Sequence, residues 1–215
     1  MDEVDVLAVV GACAPERARY AERLASASGR ALFRAQRLAL APDPVQEAIA
    51  LAPWADRPAG AVCEFPTATH AVELIGALAD EDSRIRLTGI VCVADAAHLL
   101  DDLGRDHYHA RAAIGPRGVR TEYTAHAMLT VTQLEYASMI VLVNWEALPT
   151  PELSTVLALV SHLGPRARLR LEHGGTEVPE RGAPYTVGQD RPGWVAILNG
   201  EHEPHMTDRR VSALR

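Results

Sequence analysis

An unbroken apolar run, Val6 to Val10, ends in Gly11 and is followed by Pro15 and by Tyr20, Leu24 and Ala27 at helical spacing among charged positions. A strand buried on both faces reads as a continuous apolar run, whereas an amphipathic helix shows one apolar face every three or four residues. The opening therefore predicts strand, glycine turn, helix. The same alternation predicts strands over Gly60–Phe65, Thr88–Ala94, Met139–Val143 and Ala167–Leu171. Helices are predicted over His70–Leu78, Ala96–Leu103, Glu122–Ala137 and Pro151–Leu163. Strands alternating with helices are the grammar of a doubly wound, mostly parallel α/β sheet. After Leu171 the pattern breaks under Gly174, Gly175, Pro179, Gly182, Pro184, Gly188, Pro192 and Gly193. Two late apolar stretches, Trp194–Leu198 and Arg210–Leu214, follow. The expected organisation is one α/β domain over residues 1–171 and an irregular C-terminal segment over 172–215.

Composition narrows the function classes. Of 215 residues, 48% are apolar and 23% charged, which excludes disorder as the dominant state and allows a sizeable core. The net charge of −7 is spread along the chain, so general nucleic-acid binding is not expected. No apolar run approaches the roughly 18 residues of a membrane span, and Asp2, Glu3 and Asp5 directly after Met1 contradict a secretory signal. Cys13, Cys63 and Cys92 are too widely spaced for a zinc knuckle or a disulfide framework, and a cytoplasmic setting is expected. All 21 basic side chains are arginine, so any chemistry that requires a lysine is closed to this chain.

That absence bears on the first turn. A strand ending in glycine before a helix is where phosphate loops sit, because backbone N–H groups and the helix N-terminus together receive an anion. Laid on Gly-x-x-x-x-Gly-Lys-Ser/Thr, the segment from Gly11 to Ala18 keeps Gly11 but has Glu16, Arg17 and Ala18 in place of the second glycine, the lysine and the hydroxyl. Pro15 also removes a backbone donor, and Glu16 sets a negative charge where phosphate would lie.

A second segment, Gln133 to Leu148, resembles the strand that carries the guanine-reading motif Asn-Lys-x-Asp of GTPases. Together with Ala61–Pro66, Ile90–Ala96 and Leu198–Pro204, it gives the chain a resemblance to the CobW family of metal-chaperone P-loop GTPases. The resemblance implies a P-loop NTPase fold, GTP with Mg²⁺ as ligand, and vestigial nucleotide-site positions at Gly11, Arg17, Glu64, Asp95 and Asn144. Glu64 and Asp95 match the family's acidic strand-end positions, and Asn144 matches its base-reading asparagine. Trp145 and Ala147 replace the lysine and aspartate of that motif. The family's Cys-x-Cys-Cys metal site has no counterpart between Arg30 and Gly60. Its second domain would follow a strand like that at Val211–Arg215.

The resulting expectation is a catalytically degenerate, CobW-like pseudo-GTPase with no cofactor and a protein partner or client, with a link to metal (zinc) homeostasis. Two alternatives stand beside it. One is a weak GTP or ATP hydrolase in which Arg17 grips phosphate and Glu64 or Asp95 holds Mg²⁺ through water. The other is a nucleotide-independent Zn²⁺-binding protein using His202 and His205. The cluster Asp106-His107-Tyr108-His109 is read as a solvated loop, and His70, His98, His126 and His162 as single histidines in helical segments. Cys63 and Cys92 are expected to be inert core thiols. Cys13 precedes a helix N-terminus, which lowers a thiol's pKa, while Glu16 opposes that; it is read as a turn thiol without function.

Overall fold

The computed structural model describes residues 3–78, 84–115 and 118–173. Six parallel strands form the main sheet: β1 (Val4–Val10), β2 (Ala31–Phe33), β3 (Ala61–Glu64), β4 (Ile85–Asp95), β7 (Met139–Val143) and β8 (Arg168–Leu171). Their order is β2-β3-β1-β4-β7-β8. The intervening helices are α1 (Ala14–Ser28), α2 (Ala35–Leu38), α3 (Pro44–Leu51), α4 (Ala71–Leu78), α5 (Leu99–Gly104), α6 (His126–Glu135) and α7 (Thr150–Leu163). A separate antiparallel hairpin, β5 (Tyr108–Gly115) and β6 (Gly118–Ala125), connects α5 to α6.

The predicted doubly wound sheet is present, and its layering follows from the handedness of crossovers. A right-handed crossover places its helix on one face when the chain moves one way along the sheet and on the other face when it moves back. From β1 the chain moves outward through α1, and Tyr20, Ala21, Leu24 and Ala25 pack on Leu7, Val9, Val62, Val91 and Val93. The return through α3, α4, α6 and α7 covers the opposite face, where Val6, Ala8 and Val10 meet Leu38, Val45, Leu74, Leu134, Val156 and Val160. Alternate residues of β1 thus enter two different cores. This is why its apolar run has no polar gap. Each such fully buried Val or Leu contributes about 1.5–3 kcal/mol.

The helix ends are chemically specified. Gly29 adopts φ 66° after α1, a left-handed conformation, and the Arg30 N–H closes the turn on the Ala25 carbonyl. Asp43 caps α3 by accepting from the Val45 and Gln46 N–H groups, with Pro44 in its first turn.

Three local expectations are corrected. The predicted helix Glu122–Ala137 begins only at His126, because residues 122–125 pair with β5 in the register Tyr108↔Ala125, His109↔Thr124, Arg111↔Glu122. Of the cluster Asp106–His109, read as a solvated loop, Asp106 and His107 are exposed and outside any element, whereas Tyr108 and His109 open β5. The predicted Ala96–Leu103 helix is confined to Leu99–Gly104, since Asp95 first turns the chain by accepting from the Ala97 N–H. The expected strands Trp194–Leu198 and Arg210–Leu214, and the candidate ligands His202 and His205, lie outside the described residues. Among the described residues, no helix is long and apolar enough to cross a membrane.

Candidate functional site

In a parallel sheet all carboxyl ends lie at one edge, and ligands bind there at the point where successive connections run in opposite directions. Here that point lies between β1, whose chain leaves toward β2 and β3, and β4, whose chain leaves toward β7. Gly11 follows β1, Glu64 ends β3, Asp95 ends β4, Asn144 follows β7, and Arg17 sits one turn into α1. The fold thus brings all five sequence-derived positions to one edge.

Their side chains are committed to one another and to the backbone. Arg17 is 3% exposed and Glu64 1%. The Arg17 guanidinium donates from Nε to Glu64 Oε1 at 3.1 Å, and from Nη1 to the Gly11 carbonyl at 2.5 Å and to Thr67 Oγ1 at 2.9 Å. The other Glu64 oxygen accepts from the Ala35 N–H at 3.2 Å. Burial lowers the Arg17 pKa, and the Glu64 carboxylate pushes it back up. One buried ion pair therefore ties α1, the β1 turn, the end of β3 and the start of α2 together.

The turn itself is short. Only Gly11, Ala12 and Cys13 separate β1 from α1, and the Arg17 N–H is already bonded to the Cys13 carbonyl. Gly11 has φ 150°, and a Cβ there would stand 2.1 Å from the Val93 carbonyl oxygen. Cys13 donates its thiol hydrogen to Glu16, which also pairs with Arg19. Burial and then the Glu16 contact push the Cys13 thiol up to about 12. The helix terminus does not activate it. Burial does the same for Cys63 and Cys92, which agrees with their reading as core thiols.

Asp95 accepts from the Ala97 N–H through Oδ1 at 3.1 Å and meets His98 Nδ1 through Oδ2 at 2.8 Å. The aspartate raises the His98 pKa above its ordinary value. Ligand-type atoms of Cys13, Glu16 and Asp95 lie within 4.8 Å of one another. Asn144 holds a left-handed turn at φ 55°, and the next residue, Trp145, packs on the core and against the His173 ring at 5.0 Å. Where the guanine motif has its aspartate, Ala147 closes a short 3₁₀ turn.

Beside the switch point, a cleft of about 570 Å³ is lined by Ala12, Cys13, His98, Asp102, His107, His109 and His126 among others. His109 Nε2 and His126 Nδ1 stand 2.8 Å apart, and the His107 ring lies 5.1 Å from that of His109 and 6.0 Å from that of His126. Burial, with His126 and His107 close by, lowers the His109 pKa. Sequence reasoning had placed His126 alone in a helix. The available signal was His-x-His at alternate strand positions, but joining it to His126 required the hairpin.

No protein-family model matches the chain, and no curated protein matches it. In structure the chain is similar to the Zn(II)-bound YjiA GTPase from E. coli, a CobW-family protein, with a TM-score of 0.50 and 11% sequence identity. The match covers 82% of this chain and 60% of that one, so the chain spans well under two thirds of its neighbour's length. What the likeness shows is the fold alone: a mostly parallel six-stranded α/β sheet with flanking helices, like that of this neighbour.

Proposed function

We propose that this chain uses a CobW-like GTPase fold without nucleotide chemistry and acts as a binding or regulatory protein toward a protein partner. The observation that carries this reading is the fate of Arg17. A phosphate loop keeps its cationic side chain free to reach an incoming phosphate, whereas Arg17 is buried and satisfied by Glu64, Gly11 and Thr67.

The rest of the edge supports the same reading. GTP with Mg²⁺ calls for a ring of free backbone N–H groups, a hydroxyl for the metal and a carboxylate for the base. Here Pro15 has no N–H, the Arg17 N–H is used within α1, Ala18 has no hydroxyl, and the Glu16 carboxylate stands beside the turn. Ala147 offers nothing to the guanine edge. These residues do not fit a nucleoside triphosphate. The reverse alternative, a hydrolase gripping phosphate with Arg17, requires breaking the buried pair first.

The test is calorimetric titration of the purified chain with GTP, GDP and ATP in the presence of Mg²⁺, alongside thermal melts. The expected result is no heat of binding and no shift in melting temperature. Micromolar binding of any of the three overturns the proposal.

A further inference from the structure

We propose that His107, His109 and His126 form a binding site for a divalent transition-metal ion of the zinc class, at the base of the β5–β6 hairpin. The geometry starts from the register. Tyr108 pairs with Ala125 and His109 with Thr124, so the next step outward sets His107 opposite His126, and the His126 N–H donates to the His107 carbonyl at 2.7 Å. Residues two apart on a strand share a face, which brings His109 to the same side as His107. Tyr108 and Tyr123, one position out of phase, are 56% and 69% exposed. His109 and His126 thus meet on the inner face beside the cleft at the β1 turn, with the exposed His107 ring next to them; the nitrogens of the three rings do not all stand within 4.8 Å of one another, so the His107 side chain has to rotate inward to complete the set.

The spacing of the His109–His126 pair suits two ligands of one metal ion. His109 Nε2 and His126 Nδ1 point at each other across 2.8 Å, sharing one hydrogen between two lone pairs. An ion that replaces that hydrogen at Zn–N distances of about 2.0–2.1 Å separates tetrahedral ligand nitrogens to about 3.3 Å, an opening of roughly half an ångström. The other nitrogen of His126, Nε2, faces Asp102 Oδ1 at 3.9 Å. A carboxylate that closes on the far nitrogen of a ligating imidazole fixes its tautomer and orientation. Asp102 stands one short movement from that contact, and its Oδ1 also lies 3.7 Å from Arg105 Nη1.

Three nitrogen donors favour Zn²⁺ and its neighbours in the transition series over Mg²⁺ or Ca²⁺, which take oxygen. Three protein ligands leave a fourth position for water, open to the cleft. The inference does not depend on the nucleotide reading, since none of the three histidines belongs to the β1 turn or to the Arg17 pair.

The test uses the full chain, stripped with chelator and titrated with Zn²⁺ alone. One equivalent is expected to bind at this site, to be lost in His109→Gln with His126→Gln, and to persist in His202→Ala with His205→Ala. Asp102→Asn is expected to weaken it by about 10–100-fold while keeping the stoichiometry. Because a substitution can disturb the hairpin, imidazole ¹⁵N spectra of the unsubstituted chain provide the second readout, with signals of all three rings shifting on zinc addition. Absence of zinc binding, zinc retained in the hairpin double variant, or unshifted ring signals each overturns the proposal. Binding of GTP with the hairpin zinc intact refutes only the nucleotide reading.

Discussion

Arg17→Met is the perturbation that most directly tests what holds the carboxyl edge of the sheet together. It removes three hydrogen bonds and leaves the Glu64 carboxylate, 1% exposed, with a buried charge and, among the described residues, the Ala35 N–H as its remaining hydrogen-bond partner. Removing one member of a buried ion pair costs about 3–5 kcal/mol, since the remaining charge keeps its desolvation penalty without compensation. At this chain length each kcal/mol moves the melting temperature by about 2–4 °C, so a fall of roughly 6–20 °C is expected by calorimetry or circular dichroism. Glu64→Gln retains an acceptor for Ala35 while discharging the site. The double variant Arg17→Met with Glu64→Gln is accordingly expected to recover much of the loss, leaving a coupling free energy of at least about 1 kcal/mol. A shift below about 2 °C for Arg17→Met, or strictly additive losses in the cycle, would refute the reasoning, because either means that the pair is solvated or not formed.

Other outcomes follow from the same geometry. Gly11→Ala drives a Cβ to 2.1 Å from the Val93 carbonyl oxygen at a φ that disfavours side chains, and is expected to cost on the order of 3 kcal/mol in denaturant unfolding. Cys13, with its thiol held near 12, is expected to react slowly with iodoacetamide at pH 8, and Glu16→Gln to speed alkylation several-fold; equal rates in the two proteins contradict the assignment. In the metal-free chain, NMR titration is expected to show His98 above and His109 below the ordinary value of 6.5, with Asp95→Asn bringing His98 back down. The signs for stability are opposite. The His98 contribution is present below pH 6.5 and lost as pH rises through its raised value, whereas His109 weakens the fold as pH falls from 6.5 through its lowered one.

The central strands were legible because burial on both faces leaves an uninterrupted apolar signature, and β7 begins and ends where its run Met139–Val143 does. β2 was not. It has three residues, all half-buried, too few to establish a period. The short helices α2 and α3 were passed over although Asp43-Pro44 is a start signal, because four and eight residues carry little amphipathic pattern. The hairpin was lost to composition: Ala110 and Arg111 favour a helix as readily as a strand, and only the partner strand decides between them. The positions Gly11, Arg17, Glu64, Asp95 and Asn144, taken from the phosphate-loop pattern and the family resemblance, do share one edge of the sheet, Gly11, Glu64, Asp95 and Asn144 at or just beyond strand ends and Arg17 one turn into α1. What each side chain does there was not legible, since the Arg17–Glu64 pair spans 47 residues of sequence.

The internal bonding of this edge bears on how such a fold can persist without a ligand. A loop built to receive phosphate leaves donors and a cation waiting in the free protein, and the bound ligand contributes to stability by mass action. Here the equivalent groups are satisfied from within: Gly11 accepts from Arg17, Arg17 pairs with Glu64, Glu64 accepts from Ala35, and Cys13 donates to Glu16. The Arg17–Gly11, Arg17–Glu64 and Glu64–Ala35 bonds cross between elements, so the strand ends and the first turn of α1 are held in place by the chain itself. The constraint also runs the other way. An anion entering this turn has to displace a carbonyl, a hydroxyl and a carboxylate from Arg17 and then face Glu16, so on the proposed reading nucleotide binding calls for changes at positions 16, 17 and 64 together, with no single substitution sufficient.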